Sequence, residues 1–317
     1  MDINEVMPQN CRDQLINLIN VQTELKELKL TYYTPNFTPF LRQKRIKFDK
    51  DNLANIVPNL EILSIKNSFG NPFGEGKNSL HNLQKLKLEN NEIELNRNML
   101  KTKCNSLKFF RIKEKELSNE VKEEFISLLS KNFSNITTLC YITDNIIFSS
   151  TLKLFKKLYQ LQIEGFAYYD LPFSNQNYLQ ALVKYLFNSL KILNLLYIDD
   201  YNHENFNYFL QDFDVERVKL EVLILPFNIE LDLLPNLKKF VEKAKYLRYI
   251  EIFRSENYNT EKQKDSEREI IDLCYNRNIK CILNYQFELY KAYFDIYELE
   301  FEPYRQIFGK RNLIFYD

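Results

Sequence analysis

One short segment, Ile198–Asn205, reads IDDYNHEN and contains four side chains that can bind a metal ion. A zinc-protease helix would need the pattern H-E-x-x-H, but residue 207 is asparagine and no second histidine lies nearby. The segment therefore favours a polar turn followed by an acidic helix start, and a metal-dependent enzyme is the weaker alternative. The four side chains are Asp199, Asp200, His203 and Glu204.

A glycine-rich segment, Gly70–Ser79, resembles a phosphate-binding loop, in which backbone amides cradle the phosphates. That loop has the pattern G-x-x-x-x-G-K-[ST]. Here five residues separate Gly70 from Gly76, and Lys77 is followed by asparagine. The spacing therefore favours an ordinary loop that does not bind a nucleotide.

The chain has only two histidines, His81 and His203, that could act as general bases. No serine or cysteine lies in a recognisable nucleophile pattern around them. The sequence thus predicts a non-catalytic protein with no catalytic residue, no cofactor and no metal site.

The composition narrows the class of protein. The 317 residues include 43 lysines and arginines and 43 aspartates and glutamates, a balance that argues against a nucleic-acid-binding protein. The start, MDINEVMPQN, predicts no signal peptide, and no apolar run is long enough to predict a membrane span. Five cysteines without a C-x-x-C pair predict buried thiols in a reducing compartment, the cytoplasm or the nucleus.

The elements that would position a functional residue follow an internal repeat, apolar-x-x-apolar-x-apolar. Nine copies begin 22 to 35 residues apart, and a degenerate tenth is predicted at Ile279 and Ile282. The most regular copy is LQKLKLENNEI at Leu83–Ile93, in which Asn91 is predicted to bond the backbone of its own turn. The first apolar residues of the nine copies are Leu25, Leu60, Leu83, Leu107, Ile136, Leu158, Leu190, Leu220 and Leu247.

This periodicity resembles that of a leucine-rich-repeat protein over residues 15–285. The resemblance implies an α/β fold, a leucine-rich-repeat solenoid with a curved parallel β-sheet on its concave side and helices on its convex side. Because side chains alternate along a strand, the fourth and sixth positions should enter the core, and the third, fifth and seventh should face away. Helices are predicted at Ser118–Phe133, Ser174–Asn188, Tyr201–Phe213 and Leu231–Lys245, with a Ser118 cap on the first and Pro235 in the first turn of the last.

The repeat also sets the predicted domain boundaries. Residues 1–24 form an N-terminal cap, residues 25–284 form the solenoid of nine to ten repeats, and residues 285–317 form a C-terminal cap rich in tyrosine and phenylalanine. A second small module is the alternative for the last segment.

The third, fifth and seventh positions make up the predicted concave face. In the first four copies they hold six bases and two acids, a net charge of +4, whereas in the last three they are mainly apolar and aromatic. We expect a protein partner to be steered by the basic half and anchored by the apolar half, unless residues 285–317 fold over the apolar half. The residues predicted to contact the partner are Lys66, Lys85, Lys87, Glu89, Phe109, Arg111, Lys113, Ile192, Leu196, Val222, Ile224, Tyr249 and Phe253.

Two segments, Ser189–Phe213 and Leu220–Phe227, make the chain similar to the repeat half of fungal F-box/leucine-rich-repeat proteins, which are ribonuclease-inhibitor-like. That resemblance implies a substrate-recognition subunit of a cullin-type ubiquitin ligase, which is a monomer by itself and docks on the ligase adaptor. The N-terminal residues do not contain the L-P-x-E-like start of an F-box. The alternative is therefore a leucine-rich-repeat scaffold or recognition protein unrelated to ubiquitin, with neither nucleic acid nor membrane as a partner.

Overall fold

The computed structural model covers the repeated core of the chain. It describes residues 25–31, 47–48, 59–66, 69–70, 80–89, 93–101, 104–113, 119–142, 155–164, 178–196, 203–225, 233–253 and 261–284, together with residues 14, 91 and 152. The predicted caps, residues 1–24 and 285–317, therefore lie outside the described residues except for residue 14.

The described chain contains twelve strands and six helices, and the helices lie between strands in its later part. Its strands are β1 (Glu27–Thr31), β2 (Lys47–Phe48), β3 (Ile62–Lys66), β4 (Phe69–Gly70), β5 (Lys85–Glu89), β6 (Phe109–Lys113), β7 (Thr138–Ile142), β8 (Gln160–Glu164), β9 (Ile192–Leu196), β10 (Val222–Leu225), β11 (Tyr249–Phe253) and β12 (Lys280–Asn284). Its helices are α1 (Ile93–Lys101), α2 (Asn119–Asn132), α3 (Tyr178–Tyr185), α4 (His203–Asp212), α5 (Leu234–Lys243) and α6 (Glu261–Asn276).

Ten of the strands form one open, entirely parallel sheet, which confirms the α/β class. The strands lie in chain order from β1 through β3 and β5 to β12, and β2 and β4 pair separately. Parallel neighbours need a crossover connection, and helices α1 to α6 occupy such connections between successive strands. Each strand of the large sheet therefore lies beside the strands nearest to it in sequence.

The register of the sheet follows the apolar repeat. Lys85 pairs with Phe109 and Leu86 with Phe110, so that equivalent positions of successive copies lie side by side. The amides of Gln84 and Lys85 both donate to Glu61 O, at 2.8 and 3.0 Å, and the same paired bond recurs where later strands begin. These backbone bonds fix each strand against its neighbour at the residue where the repeat predicts a strand to begin.

The core lies on one side of this sheet. The fourth and sixth positions, such as Leu86 and Leu88, are fully buried and join the inner residues of the helices in one apolar cluster. Phe110 stacks on Phe133, with ring centroids 6.3 Å apart, and so ties β6 to the residue after α2. The prediction for the core-facing positions is confirmed.

The four predicted helices are all present, and each ends one to three residues earlier than predicted. Their predicted first residues lie outside the described residues. Pro235 stands in the first turn of α5, as predicted, where a missing N–H costs nothing. The predicted Ser118 cap lies outside the described residues. Asn91 Nδ2 donates to Ile65 O of β3 at 2.9 Å, so this bond joins two copies, whereas the prediction kept it within one turn.

The tenth strand exists, but its predicted register is wrong by one residue. Cys281 pairs with Ile250, so it is Cys281 and not Ile282 that occupies the fourth position. Helix α6 ends in a turn with Asn278 at a φ of 56° and the amide of Ile279 bonded to Cys274 O at 2.8 Å. This tight turn brings the chain into the strand one residue early, and a shift of one residue exchanges the faces of a strand.

None of the described helices has the length and apolar character needed to cross a membrane.

Candidate interaction face

The side of the sheet opposite the core is here called the distal face, made up of the third, fifth and seventh positions of the ten paired strands. It contains the residues predicted to contact a partner, because side chains alternate along each strand. Its distinct character is visible in five buried apolar residues that do not belong to the core cluster. They are Cys140, Ile192, Val222, Ile224 and Tyr249.

The basic half of the distal face neutralises part of its own charge. Glu89 lies between Lys66, at 3.6 Å, and Arg111, at 3.2 Å. The ammonium group of Lys85 lies 5.1 Å from the ring centroid of Phe109, within range of a cation–π contact. The net charge of +4 is therefore held in a network of contacts across β3, β5 and β6.

Two of the predicted steering lysines are not open to solvent. Lys85 and Lys87 expose only 4% and 9% of their surface, although both point away from the core. The repeat predicts that both lysines face an open hollow, and this prediction is wrong. Lys29 is exposed and Lys66 and Lys113 are half-buried, so these three are the more accessible bases of this half.

The middle of the distal face is polar and buried. Thr138, Gln160 and Gln162 are each less than a tenth exposed. Beside them Asn194 is 2% exposed, and its Oδ1 atom has no hydrogen-bond partner in the part of the chain that the structure describes. A buried acceptor without a donor costs about 1–3 kcal/mol, so this atom is suited to receive an N–H group.

The last strands give the face its apolar half. Ile192, Val222, Ile224 and Tyr249 are each 4% exposed or less. The hydroxyl of Tyr249 donates to Glu251 Oε2 at 2.9 Å, an interaction that the sequence analysis missed. The sequence does contain a signal for this bond. Tyr249 and Glu251 are two residues apart, and residues two apart on a strand share a face. The predicted contact residues Leu196 and Phe253 end β9 and β11, and their side chains lie outside the described residues.

A concave feature runs along the edge of the sheet where the strands begin. It is a polar groove of about 720 Å³, which the sequence analysis also missed. The signal was an asparagine within two residues before the first apolar position of several copies. The groove residues are Lys26, Asn59, Glu61, His81, Asn82, Gln84, Asn105, Ser106, Lys108, Asn135, Thr137 and Lys157.

The remaining candidates for chemistry lie only partly within the described residues. His203 and Glu204 lie in the first turn of α4, whereas the rest of the 198–205 cluster and most of Gly70–Ser79 fall outside the described residues. Among the described residues no three histidine, cysteine, aspartate or glutamate side chains are placed to hold a metal ion.

Two thiols interact in the last repeated unit. Cys274 is buried in α6 and Cys281 is half-buried in β12. A hydrogen bond from Cys274 lowers the pKa of the Cys281 thiol, and the same bond, with burial, raises the pKa of Cys274. Cys281 is therefore the thiol of this pair that ionises first.

No protein-family model and no curated protein matches this sequence. The distal face and the sheet that carries it are therefore the basis for a functional assignment.

Proposed function

We propose that this protein is a leucine-rich-repeat solenoid that binds another protein on the concave surface formed by its distal face. The observation that carries the proposal is the group of apolar side chains held on the distal face apart from the core. Isoleucine, valine and tyrosine are gathered there on the side of the sheet that faces away from the core. Aliphatic and aromatic anchors of this kind carry much of the binding energy where one protein binds another.

The polar groups of the face support a protein as the partner. Buried amides at Gln162 and Asn194 lie beside the apolar anchors Ile192 and Ile224. Apolar anchors give affinity, and buried polar groups that must be satisfied give specificity. The orphan acceptor of Asn194 is matched by a backbone N–H, which an extended polypeptide supplies at every residue other than proline.

The specific form of the proposal is a substrate-recognition subunit of a cullin-type ubiquitin ligase. It rests on the resemblance of Ser189–Phe213 and Leu220–Phe227 to F-box/leucine-rich-repeat proteins. A recognition protein or scaffold unrelated to ubiquitin would use the same face and differ only in its partners.

Affinity capture from cell extract with the full chain tests both the binding of a partner through the distal face and the ubiquitin-ligase role. We expect wild-type protein to retain a defined partner together with a ligase adaptor, identified by mass spectrometry. Reversing two accessible bases of the face, Lys66→Glu with Lys113→Glu, should reduce partner capture because the approaching surface loses its charge complement. The matched control is Lys239→Glu with Lys243→Glu on the exposed side of α5, which should leave capture unchanged.

The outcomes distinguish binding through the distal face from the ubiquitin-ligase role. Capture of a partner without any ligase adaptor contradicts the ubiquitin-ligase role and leaves the recognition role. If both variants lose the partner equally, or if neither variant loses it, binding through the distal face is contradicted.

A further inference from the structure

We propose that the edge of the large sheet where the strands begin binds the phosphodiester backbone of a single-stranded nucleic acid. Three positions in each of the nine copies define this surface, namely the two residues before the first apolar residue and the one residue after it. The structure describes 24 residues at these positions, and together they are called the basic edge. The basic edge shares no residue with the distal face, so the proposal goes beyond the proposed function and does not depend on it.

The basic edge concentrates positive charge that is balanced elsewhere in the chain. Its 24 described residues include eight lysines and arginines and two glutamates, a net charge of +6, whereas the whole chain has a net charge of zero. The sheet brings these cations into one row, because equivalent positions of successive copies lie side by side. A balanced composition argues against a nucleic-acid partner only where the charges are spread evenly, and here they are not.

Most of this positive charge is not neutralised by the protein itself. Three of the eight cations form ion pairs with glutamates, at 2.9 to 3.1 Å. The other five are exposed and have no carboxylate partner in the part of the chain that the structure describes. They are Lys108, Lys156, Lys157, Lys219 and Arg248. Cations of this kind favour binding of a nucleic acid, because phosphates that they neutralise release their bound counterions.

The uncharged members of the basic edge match the residue types that contact phosphate and sugar. Five asparagines, one glutamine, three serines and one threonine supply amide and hydroxyl groups. Together with lysine and arginine, such side chains make most of the contacts to nucleic-acid backbones. Apart from two tyrosines, the only apolar residue at the described positions is Val218, which is 2% exposed. A protein interface has an apolar core, so this edge suits a nucleic acid better than an acidic polypeptide.

The two tyrosines of the basic edge provide surfaces on which bases can stack. Tyr246 is 42% exposed, and the ammonium groups of Lys191 and Lys219 lie 5.7 and 5.3 Å from its ring centroid. Tyr159 is half-buried three copies earlier. An aromatic ring beside cations offers a stacking surface to a base and a counter-charge to its phosphate. This combination is typical of proteins that bind single strands without sequence preference.

The shape of the basic edge admits one strand and not two. All twelve residues of the polar groove belong to the basic edge, and they extend from Lys26 to Lys157. These residues precede six neighbouring strands, which span roughly 24 Å at the usual strand spacing. A volume of about 720 Å³ over that length corresponds to a cross-section of about 30 Å². That is room for one extended chain, whereas the major groove of a duplex is by itself about 12 Å wide.

Fluorescence anisotropy with the full chain tests the proposal. The probes are a labelled RNA of about 20 nucleotides without self-complementarity and the DNA of the same sequence, each titrated at several salt concentrations. We expect binding that weakens as salt rises, and tighter binding of one of the two strands identifies which nucleic acid the edge prefers. The triple variant Lys108→Gln, Lys156→Gln and Lys219→Gln should bind at least about tenfold more weakly at low salt. Its slope of log affinity against log salt should be smaller by about 2, since each lost phosphate contact on a single strand removes about 0.7.

The matched control loses three exposed cations that lie elsewhere. Lys29→Gln on the distal face, with Lys239→Gln on α5 and Arg268→Gln on α6, should leave both the affinity and the salt slope nearly unchanged. Equal weakening in the two triple variants, or no binding of either single strand by wild-type protein, overturns the proposal. Tighter binding of a duplex of the same length contradicts the single-strand assignment. Equally effective competition by poly-glutamate, supplied at the same total charge, would instead assign the edge to an acidic polypeptide.

A second measurement uses wild-type protein and so does not depend on the folding of a variant. RNA that contains 4-thiouridine is crosslinked to the full chain by ultraviolet light, and the crosslinked residues are identified by mass spectrometry. We expect crosslinks at Tyr246 or Tyr159, and their absence from both tyrosines contradicts binding along the basic edge. Neither measurement contains a protein partner, so a negative result here leaves the distal face to be judged by affinity capture alone.

Discussion

At the scale of single residues, the buried thiol of Cys104 joins two neighbouring turns of the chain. Cys104 is 2% exposed, and its Sγ atom donates to the carbonyls of Leu80 and Leu83, each at 3.1 Å. It thereby binds the turn before β6 to the turn before β5. Burial is the main reason that the pKa of its thiol is raised above its ordinary value of 9.0.

This raised pKa predicts a loss of stability at alkaline pH. The unfolded thiol ionises near pH 9, whereas the folded thiol stays protonated, so its contribution to stability is complete below pH 9 and is lost as the pH rises through the folded value. The loss grows as the pH rises above 9, where the unfolded thiol is ionised and the buried thiol is not. Urea unfolding under reducing conditions at pH 7.5 and 10 should show a smaller loss for Cys104→Ala than for wild type, and an equal loss would contradict the assignment.

At the scale of elements, the repeat predicts strands more reliably than it predicts the turns that feed them. Leucine or a similar residue at the fourth and sixth positions selects the core face, and a shift by one residue would bury the charged positions instead. Nine strands follow this rule. The tenth departs from it because its register is set by the turn at Asn278, where a positive φ closes the end of α6.

The turn at Asn278 can be tested by substitution. Asparagine tolerates the left-handed conformation, whereas a β-branched residue does not, so Asn278→Val should lower the free energy of unfolding by about 1–2 kcal/mol. Asn278→Gly, which has no β-carbon, is the matched control and should be neutral or slightly stabilising. Thermal or urea unfolding of the two variants measures the difference, and similar losses in both would mean that the backbone conformation is not what Asn278 provides.

At the scale of the whole molecule, the sequence predicts the direction of each side chain but not what lies above it. Lys85 and Lys87 point away from the core as the repeat predicts, yet they are only 4% and 9% exposed. Periodicity predicts the direction of a side chain, whereas its burial depends on contacts beyond its own strand. The same limit applies to the groove at the edge of the sheet, which arises only when asparagines of several copies align. Periodicity therefore gives the register of a sheet, whereas cover and grooves arise from contacts between its units.

The order of the strands predicts how the molecule loses structure. Each strand of the large sheet bonds only to its neighbours in the sheet order, so a defect in one unit should propagate to adjacent units before distant ones. Ile250→Ala removes a fully buried side chain from β11, at a cost of about 2–5 kcal/mol. Amide hydrogen exchange should accelerate in β10, β11, β12 and α6 and stay unchanged in β3 to β6. Leu86→Ala, an equally buried change in β5, should give the reverse pattern. Uniform acceleration in both variants would instead mean that the ten strands unfold as one cooperative unit, in which case a partner bound at either half of the distal face would stabilise the entire sheet.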